Sequence, residues 1–385
     1  MRLMIAGGGT GGHIYPALAV ARSLRASPAD PEISWLGGRR GLEAGIVPAA
    51  GIPLRRLAVR SLRSSDRSVH LVLDPARLAM SVPQAAAILA RQRPAAIFTT
   101  GGYVAIPIIL AARSLRIPVV MWDGNVIPGR SVRATARLVA AVAVSSAQTC
   151  ATLALPEGRC FETGTPIREL EGIDPLAARE RFGVPAGGRL LLVFGGSQAV
   201  RRFNTAVADA LGRLVERFHV VHVTGDAGYA AALAGRELLP AAVRDRYRPY
   251  PFLRAEMTQA LVAADLIVGR AGSSTLAEAT ALGRPLVVVP YPHAAGHQRA
   301  NALPLVEAGA ARLIEDEAFN ADSLLAAAAI LDDPAAHNAM AAASRALGRP
   351  AAAAAVADLV LAAAEHRAFP AAAAIVRRAR GELPG

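Results

Sequence analysis

Short apolar runs alternate with amphipathic, helix-length stretches along almost the whole chain. The first apolar run, residues 2–6, leads into a glycine-rich turn and then into a helical pattern over 13–27. Such alternation is typical of a parallel β-sheet with helices packed on its faces. In this half the pattern predicts strands over 33–36, 54–58, 96–99, 118–122 and 139–144, and helices over 42–50, 83–93, 106–115 and 147–155.

A second series of the same kind starts after residues 164–166. An apolar run over 189–194 is followed by another glycine turn and by a helical pattern over 200–217. The alanine-rich segment 338–379 predicts helices interrupted at Pro350 and Pro370, because proline cannot continue a helix. Between these segments the pattern predicts strands over 219–224, 266–268 and 286–290, and helices over 274–282, 298–308 and 321–331.

The two series predict an α/β protein with two Rossmann-like domains and a cleft between them. A length of 385 residues also favours two hydrophobic cores over one. We predict an N-terminal domain over 1–163, an interdomain linker over 164–188, a C-terminal domain over 189–349 and a C-terminal helical tail over 350–385.

Positive charge is concentrated in the first half of the chain. Residues 1–166 contain 19 Arg against 8 Asp and Glu, whereas residues 167–385 contain 23 Arg against 22. A basic half favours an anionic partner, either a membrane surface or a phosphate-bearing substrate. Nucleic acid is disfavoured, because the chain has no nucleic-acid motif and only 4% aromatic residues for base stacking.

The sequence predicts a cytoplasmic location. No uninterrupted apolar stretch reaches the roughly 20 residues that span a bilayer, and the N-terminus lacks the features of a signal peptide. In a reducing compartment we expect Cys150 and Cys160 to be free thiols.

Two glycine turns in the first half are candidates for anion binding. Residues 7–13 (GGGTGGH) follow the first strand, and residues 99–104 (TTGGYV) follow a later one. Such turns let the backbone approach a ligand while the next helix directs its first N–H groups at an anion, although packing alone also produces them. His13 is a candidate general base because its pKa lies near neutrality; capping of the helix is the alternative. Together the turns suit a diphosphate-bearing acceptor.

The second half holds the most specific segment. Residues 195–198 (GGSQ) repeat the glycine turn, and residues 270–275 (RAGSST) place small residues at a helix start. Glu278, one turn into that helix, can accept hydrogen bonds from ribose hydroxyls. His297 and Gln298 are placed to bind sugar hydroxyls. We predict no metal and no cofactor, because His293 and His297 lack partners at ligand spacing and the chain has no Asp-x-Asp pair.

Six motifs occur in one order along nearly the whole chain: GGGTGGHIYPALAVA at 7–21, GGYV at 101–104, GTPIR at 164–168, GGSQ at 195–198, RAGSSTLAE at 270–278 and HQRANA at 297–302. In this order they resemble glycosyltransferase family 28 of the GT-B fold, and within it the inverting enzymes of peptidoglycan synthesis. Those enzymes transfer N-acetylglucosamine from UDP-N-acetylglucosamine to the 4-hydroxyl of lipid I, a muramyl sugar on undecaprenyl diphosphate, and so make lipid II.

The resemblance implies a role for each motif. His13, as the base, and Asn125 would form the catalytic region. Acceptor contacts would come from Gly8, Gly9, Thr10, Gly101, Gly102 and Tyr103. Donor contacts would come from Thr10, Gly11, Gly12, Arg168, Ser197, Leu253, Arg270, Ser273, Thr275, Glu278, His297 and Gln298. Of these, Glu278 would hold the ribose and the backbone near Leu253 the uracil.

Two segments depart from the family pattern. Where members usually have His-Glu-Gln-Asn, residues 122–125 read Trp-Asp-Gly-Asn, and residues 199–201 read Ala-Val-Arg after GGSQ. The first departure leaves open a related transferase with another lipid or small-molecule acceptor. A non-catalytic nucleotide-sugar binding protein is a second alternative. An NAD-dependent oxidoreductase is the weakest, because no acidic residue ends the second strand.

A basic rim precedes an apolar segment in the first half. It consists of Arg55, Arg56, Arg60, Arg63 and Arg67, followed by apolar residues at 71–73 and 78–80. With the resemblance, this pattern predicts a peripheral protein at the anionic inner-membrane surface, on its cytoplasmic face. A solvated arginine face beside ordinary core residues is the alternative.

Overall fold

The computed structural model describes residues 1–38, 41–57, 70–170, 172–196, 201–254, 256–292 and 296–382, with side chains omitted for 70–79. The chain divides into two compact units. Unit 1 comprises Met1–Arg168 together with Arg349–Gly385, and unit 2 comprises Glu169–Gly348.

Each unit contains one parallel β-sheet. The strands of unit 1 are β1 Arg2–Ala6, β2 Glu32–Gly38, β3 Leu54–Leu57, β4 Ala96–Thr99, β5 Val119–Asp123, β6 Ala141–Val144 and β7 Cys160–Glu162. Those of unit 2 are β8 Leu190–Phe194, β9 His219–Val223, β10 Tyr247–Tyr250, β11 Leu266–Gly269, β12 Leu286–Val288 and β13 Ala311–Leu313.

Helices follow most strands and cover the sheets. In chain order they are α1 Gly11–Ala26, α2 Glu43–Ala49, α3 His70–Gln92, α4 Ala105–Ser114, α5 Arg130–Thr135, α6 Ala147–Leu153, α7 Pro175–Arg181, α8 Arg201–Arg217, α9 Asp226–Glu237, α10 Ala241–Arg244, α11 Glu256–Ala263, α12 Ser273–Ala281, α13 His297–Glu307, α14 Ala321–Ala328, α15 Pro334–Leu347, α16 Ala352–Ala364 and α17 Ala372–Ala379. Short 3₁₀ turns occupy Ala136–Leu138, Asp316–Ala318 and Ala329–Asp332.

The two sheets share one order over six strands, and the sheet of unit 1 has β7 as a seventh strand at its edge. Unit 1 runs β3-β2-β1-β4-β5-β6-β7 and unit 2 runs β10-β9-β8-β11-β12-β13. The order therefore reverses between β1 and β4 in unit 1 and between β8 and β11 in unit 2. In open α/β sheets ligands bind at this reversal, beyond the carboxyl ends of the strands. The turns at 7–10, 100–104, 195–196 and 270–272 all lie at those ends.

The C-terminal helices belong to the core of unit 1. Val356, Leu359 and Val360 of α16 are fully buried in one apolar cluster with Ile14 and Leu18 of α1. Residues 350–385 were predicted as a tail beyond the second domain. The described part, 350–382, is helical, interrupted near Pro350 and Pro370, and packed on unit 1.

Part of the predicted linker is structured. Helix α7, with Asp174 as its N-cap, belongs to unit 2. Arg179 of α7 donates to Asp265 Oδ2 at 3.0 Å, and that same oxygen accepts the N–H of Leu190 at 2.7 Å. These contacts tie the segment before β8 to the start of β11.

Several boundaries differ from the sequence-based expectation. The helix predicted to start at Pro83 starts at His70, so proline is tolerated well inside α3. The pattern missed β7, β10 and β13, which are short, and α5, α7, α9, α10 and α11. All three missed strands, with the sequences CFE, YRPY and ARL, lie at sheet edges, and none of them is a continuous apolar run.

The expectation of free thiols is wrong for this structure, because Cys150 and Cys160 are joined by a disulfide. Cys150 lies on α6 and Cys160 begins β7, the strand that the sequence did not predict. Their Cα atoms lie 5.7 Å apart, within the range that a disulfide requires.

Candidate active site

The first glycine turn of unit 1 is held by backbone and side-chain contacts. Gly9 has φ +94°, a conformation that favours glycine. The indole N–H of Trp35 donates to the Gly7 carbonyl at 2.8 Å, and α1 begins at Gly11. The first amides of α1 therefore start directly after the turn, where a helix N-terminus attracts an anion.

His13 connects the two glycine turns of unit 1. Its Nδ1 lies 2.8 Å from the Thr100 carbonyl oxygen, and the Thr100 hydroxyl donates to the His13 carbonyl at 3.0 Å. Because a carbonyl oxygen can only accept, Nδ1 carries the proton, and in the neutral ring Nε2 carries the lone pair. A Cβ on Gly102 would lie 3.8 Å from Nε2, so this glycine borders the ring.

Tyr103 lies beside the same turn. A Cβ on Gly9 would lie 3.6 Å from Tyr103 Cε1. Desolvation by burial, and to a lesser extent the negative charge of Glu43, raises the pKa of the Tyr103 phenol. Tyr103 therefore stays protonated at neutral pH and can donate a hydrogen bond. The structure thus brings Gly9, His13, Gly102 and Tyr103 together at the strand-order reversal.

Hydrogen bonds from side chains hold the segment 122–125 in place. The buried Asp123 accepts from the backbone and side-chain N–H groups of Asn125, each at 3.1 Å, and from the Gly129 N–H at 3.1 Å. Trp122 donates from its indole to the Gly164 carbonyl at 3.0 Å. Asp123 therefore orients the Asn125 amide at the carboxyl end of β5, next to β4.

Glu43 is the residue of this region that the sequence analysis missed. It lies in the first turn of α2 and is 0% exposed. Its carboxylate accepts the N–H of Gly9 at 2.9 Å and that of Gly38 at 3.0 Å. A dinucleotide-binding fold has its acidic residue at the end of the second strand, whereas Glu43 stands five positions after Gly38. The sequence feature that could have indicated Glu43 is the group of glycines before it, Gly37, Gly38 and Gly41.

In unit 2 the first turn is only partly described. Gly195 and Gly196 follow β8, and Gly196 has φ +73°. Ser197, with the rest of 197–200, lies outside the described residues. The second departure from the family pattern therefore lies largely outside them too.

The helix start predicted after β11 is present. Gly272 is the N-cap residue of α12, which puts Ser273 and Thr275 in the first turn. Both are half-buried, whereas Glu278 is only 6% exposed. Small residues and backbone amides thus stand at the reversal of the second sheet, with a carboxylate one turn behind them.

Arg270 lies in a buried network next to this helix start. Its Nη1 donates to the carbonyls of Val289 and Pro290, at 3.1 and 3.3 Å, and to Asp316. Its guanidinium also lies over the rings of Phe203 and Tyr291, at 4.9 and 5.3 Å from the ring centroids. Arg270 is 7% exposed, and its described contacts hold the chain that follows β12.

The predicted sugar-binding pair begins α13, after Gly296 with φ +77°. Gln298 Oε1 accepts the Tyr291 N–H at 2.9 Å, which links the pair to the Arg270 network. Within the described chain, His297 Nδ1 is buried without a hydrogen-bond partner, so a ligand could satisfy it. His293 lies outside the described residues.

The remaining predicted residues are placed more loosely. Leu253, after β10, is half-buried against a core cluster of unit 2, and Arg168 is half-buried at the end of its segment of unit 1. Arg55 and Arg56 are exposed on β3, and Met80 is 72% exposed. Outside the described residues lie Arg60, Arg63 and Arg67, and the side chains of 71–73, 78 and 79 are likewise not described.

Two further properties concern metals and membranes. Across the described ranges, no group of three or more His, Cys, Asp or Glu side chains is arranged to hold a metal ion. One described stretch, Pro334–Ala364, has the length and hydropathy of a membrane span. It comprises α15 and α16, and its most apolar part is more than half buried, as in core helices.

Comparison with known families matches both units. Residues 3–144 match the glycosyltransferase family 28 N-terminal domain, and residues 190–358 match the family 28 C-terminal domain. The chain belongs to glycosyltransferase family 28. It is therefore a glycosyltransferase, and the sequence-based recognition of this family and of its GT-B fold is confirmed.

Relatives that match most of the chain make the resemblance more specific within family 28. A protein of Desulforudis audaxviator is 37% identical over 370 residues, which cover 94% of this chain and 98% of the relative. One of Chlorobium luteolum is 38% identical over 343 residues, covering 86% and 91%. Both are named UDP-N-acetylglucosamine--N-acetylmuramyl-(pentapeptide) pyrophosphoryl-undecaprenol N-acetylglucosamine transferase.

Solved structures agree with this fold. The crystal structure of Acinetobacter baumannii MurG has a TM-score of 0.75 and 27% identity, and the match covers 94% of this chain and 99% of that one. A structure named as a UDP-N-acetylglucosamine 2-epimerase from Listeria monocytogenes has a TM-score of 0.69, and the match covers 96% of this chain and 98% of that one. At 16% identity this second match shows the fold alone.

Proposed function

We propose that this family 28 glycosyltransferase moves N-acetylglucosamine from UDP-N-acetylglucosamine to the 4-hydroxyl of lipid I, producing lipid II for peptidoglycan. The observation that carries the proposal is the 37% identity, over 94% of the chain, to a relative named for that reaction. The acceptor-side geometry around His13 supports the chemistry.

In this proposal unit 1 binds the acceptor. The amides at the start of α1 bind its diphosphate together with the turn at 101–103, and Asn125 is held towards the same edge by Asp123. Nε2 of His13 takes the proton of the acceptor 4-hydroxyl, because the Thr100 carbonyl fixes the proton on Nδ1. The hydroxyl oxygen then attacks the anomeric carbon and inverts it from α to β.

Unit 2 binds the donor. Glu278 accepts from the ribose hydroxyls, the backbone near Leu253 binds uracil, and His297 and Gln298 bind the sugar. As the anomeric C–O bond breaks, its electron pair goes to the β-phosphate oxygen of UDP. Amides at Ser273 and Thr275, with Ser197, stabilise this charge without a metal ion.

We further propose that the protein works at the cytoplasmic face of the membrane as a peripheral protein. The exposed Arg55 and Arg56 and the exposed Met80 support this placement. Each arginine near an anionic lipid surface contributes about 1 kcal/mol. Binding to vesicles with anionic lipid, compared with neutral vesicles, tests the placement; equal binding to both contradicts it.

Transfer of radiolabelled sugar to a short-chain lipid I analogue tests the reaction. We expect preference for UDP-N-acetylglucosamine over UDP-glucose and UDP-galactose, and the same rate with EDTA present. UDP binding without transfer to lipid I overturns the acceptor assignment and directs attention to the Trp-Asp-Gly-Asn segment. Loss of transfer in EDTA overturns the metal-free mechanism.

A further inference from the structure

A buried carboxylate lies behind the acceptor-side glycine turn and has no part in the mechanism above. Glu43 is fully buried, and its two oxygens accept different backbone N–H groups, Gly9 from the turn after β1 and Gly38 from the end of β2. A carboxylate is retained in a protein interior only where such partners compensate its desolvation. Glu43 thus joins two neighbouring strand ends through one charged group.

The glycines around Glu43 are shaped to this side chain. A Cβ on Gly8 or Gly41 would collide with the carboxylate, and one on Gly37 would lie 3.0 Å from Glu43 Cγ. Gly8 of the first turn, Gly37 of β2 and Gly41 after β2 therefore make room for one glutamate. Packing against Glu43 therefore accounts for a glycine at position 8.

The contact between Glu43 and Gly9 also determines the hydrogen-bond partner of the Gly9 amide. Its N–H is taken by Glu43 at 2.9 Å, so it does not bind the acceptor diphosphate in this arrangement. The contact instead holds Gly9, at φ +94°, against Tyr103 and immediately before the start of α1. An anion at this turn is left with the amides of α1 itself.

We propose that Glu43 is a positioning residue that holds the 7–10 turn, and with it Tyr103 and the first turn of α1, in the conformation that receives the acceptor. This inference rests on the proposed function, in which unit 1 binds lipid I. Glu43 contacts the turn and acts through it, with no contact to the reacting atoms.

The first test is the Glu43→Gln variant in the full chain. Gln keeps the shape but has one carbonyl oxygen, so its NH₂ group must face one of the two N–H donors. We expect kcat/KM for lipid I to fall about tenfold or more, with KM for UDP-N-acetylglucosamine within about twofold of wild type. Phe161→Leu, in the core of unit 1 on the far edge strand β7, is the matched control for lost stability. Unchanged kinetics overturn the proposal. Equal losses of kcat/KM for donor and acceptor, the pattern expected of Phe161→Leu, also overturn it.

The second test measures amide hydrogen exchange and needs no acceptor. We expect the Gly9 amide to be protected in the wild-type protein and to exchange at least about tenfold faster in Glu43→Gln, with α1 amides over 17–26 unchanged. Fast exchange of Gly9 in wild type, or no change in the variant, overturns the proposal. Should Glu43→Gln not fold, Glu43→Asp is measured in its place, because its shorter side chain cannot span both glycines. If wild type transfers nothing to lipid I, the proposed function fails, and exchange at Gly9 alone decides the role of Glu43.

Discussion

The two units have the same strand order, but their candidate ligand-binding edges are held by buried side chains of opposite charge. In unit 1 the buried Glu43 accepts backbone N–H groups from Gly9 and Gly38. In unit 2 the buried Arg270 donates to the backbone carbonyls of Val289 and Pro290. Unit 1 therefore fixes its glycine turn through backbone amides, whereas unit 2 fixes the chain after β12 through backbone carbonyls.

This difference fits the proposed chemistry of each ligand. The leaving UDP gains negative charge as the sugar is transferred, so a donor unit benefits from keeping its amides for the diphosphate. A cation that engages carbonyls leaves those amides unused by the scaffold. The acceptor diphosphate does not change its charge during transfer, so unit 1 can use one amide for structure. The strand order determines where the turns lie. The buried charged side chain, Glu43 in unit 1 or Arg270 in unit 2, determines whether backbone amides or backbone carbonyls are used to hold the chain there.

The largest effect is expected from His13→Ala. Loss of the base should lower kcat by roughly 10²–10⁴, with KM for the donor unchanged, because unit 2 is not altered. Steady-state transfer to lipid I measures this. His366→Asn removes an exposed histidine from unit 1 and is the control. Turnover near wild type in His13→Ala would exclude His13 as the base and leave it as a link between the two turns.

Glu278→Ala should act on the donor alone. Losing hydrogen bonds from ribose hydroxyls to a carboxylate costs about 1.5–3 kcal/mol, which corresponds to a rise in donor KM of roughly tenfold to 150-fold. Donor and acceptor KM are measured side by side, with Glu307→Ala, an exposed position in the same unit, as the control. An unchanged donor KM contradicts the ribose assignment.

Asp316→Asn tests whether Arg270 serves as a clamp. Asp316 contacts Arg270 and also Arg202, at 3.1 Å, and has no predicted contact with the nucleotide. Weakening this pair by about 1 kcal/mol should raise donor KM about fivefold and leave acceptor KM unchanged. Asp322→Asn removes a comparable but exposed pair with Arg213. If donor KM stays at the wild-type value, the network does not position the donor site.

The last prediction has no effect at neutral pH and appears only in acid. Burial lowers the pKa of His222 to about 3, and its Nδ1 lies 2.9 Å from the Tyr247 hydroxyl. In the unfolded chain His222 has a pKa of about 6.5 and binds a proton below that pH. In the folded chain His222 stays neutral until the pH falls to about 3. Stability is therefore lost as the pH falls through this window, with a limiting slope of about 1.4 kcal/mol per pH unit.

Hydrogen exchange by segment separates the two units in this experiment. His219, whose pKa is lowered by burial and then by nearby arginines, adds to the effect in unit 2. We expect unit 2 to lose protection before unit 1 as the pH falls from about 6.5 to 4, and His222→Gln to reduce the difference. Equal acid sensitivity of wild type and His222→Gln would contradict this origin.

Much of the fold was accessible from the pattern of residues. Strands 2–6 and 96–99 were predicted at their observed bounds, because parallel strands buried on both faces are continuous apolar runs. The end of α8 at Arg217 and the breaks near Pro350 and Pro370 were also predicted from the sequence. The edge strands β7, β10 and β13 were not accessible, because each contains a charged residue and none is a continuous apolar run.

The candidate site divides in the same way. His13, Gly102, Tyr103, Ser273 and Glu278 were identified because glycine turns and helix starts are local features, and the structure places them at the two strand-order reversals. Their roles as ligand contacts remain predictions. Arg270 was expected at the nucleotide, and the structure shows its side chain in contact with Asp316 and two backbone carbonyls.

The sequence by itself therefore determined the order of the apolar runs, the glycine turns and the family motifs, because each of these features depends on residues a few positions apart. Contacts between distant segments needed the folded structure: Glu43 with Gly9, His13 with Thr100, and Cys150 with Cys160. The physical reason is that a buried charge or a ring nitrogen acquires its role from the partner that the sheet brings beside it. The sheet order that chooses those partners is a property of the whole core.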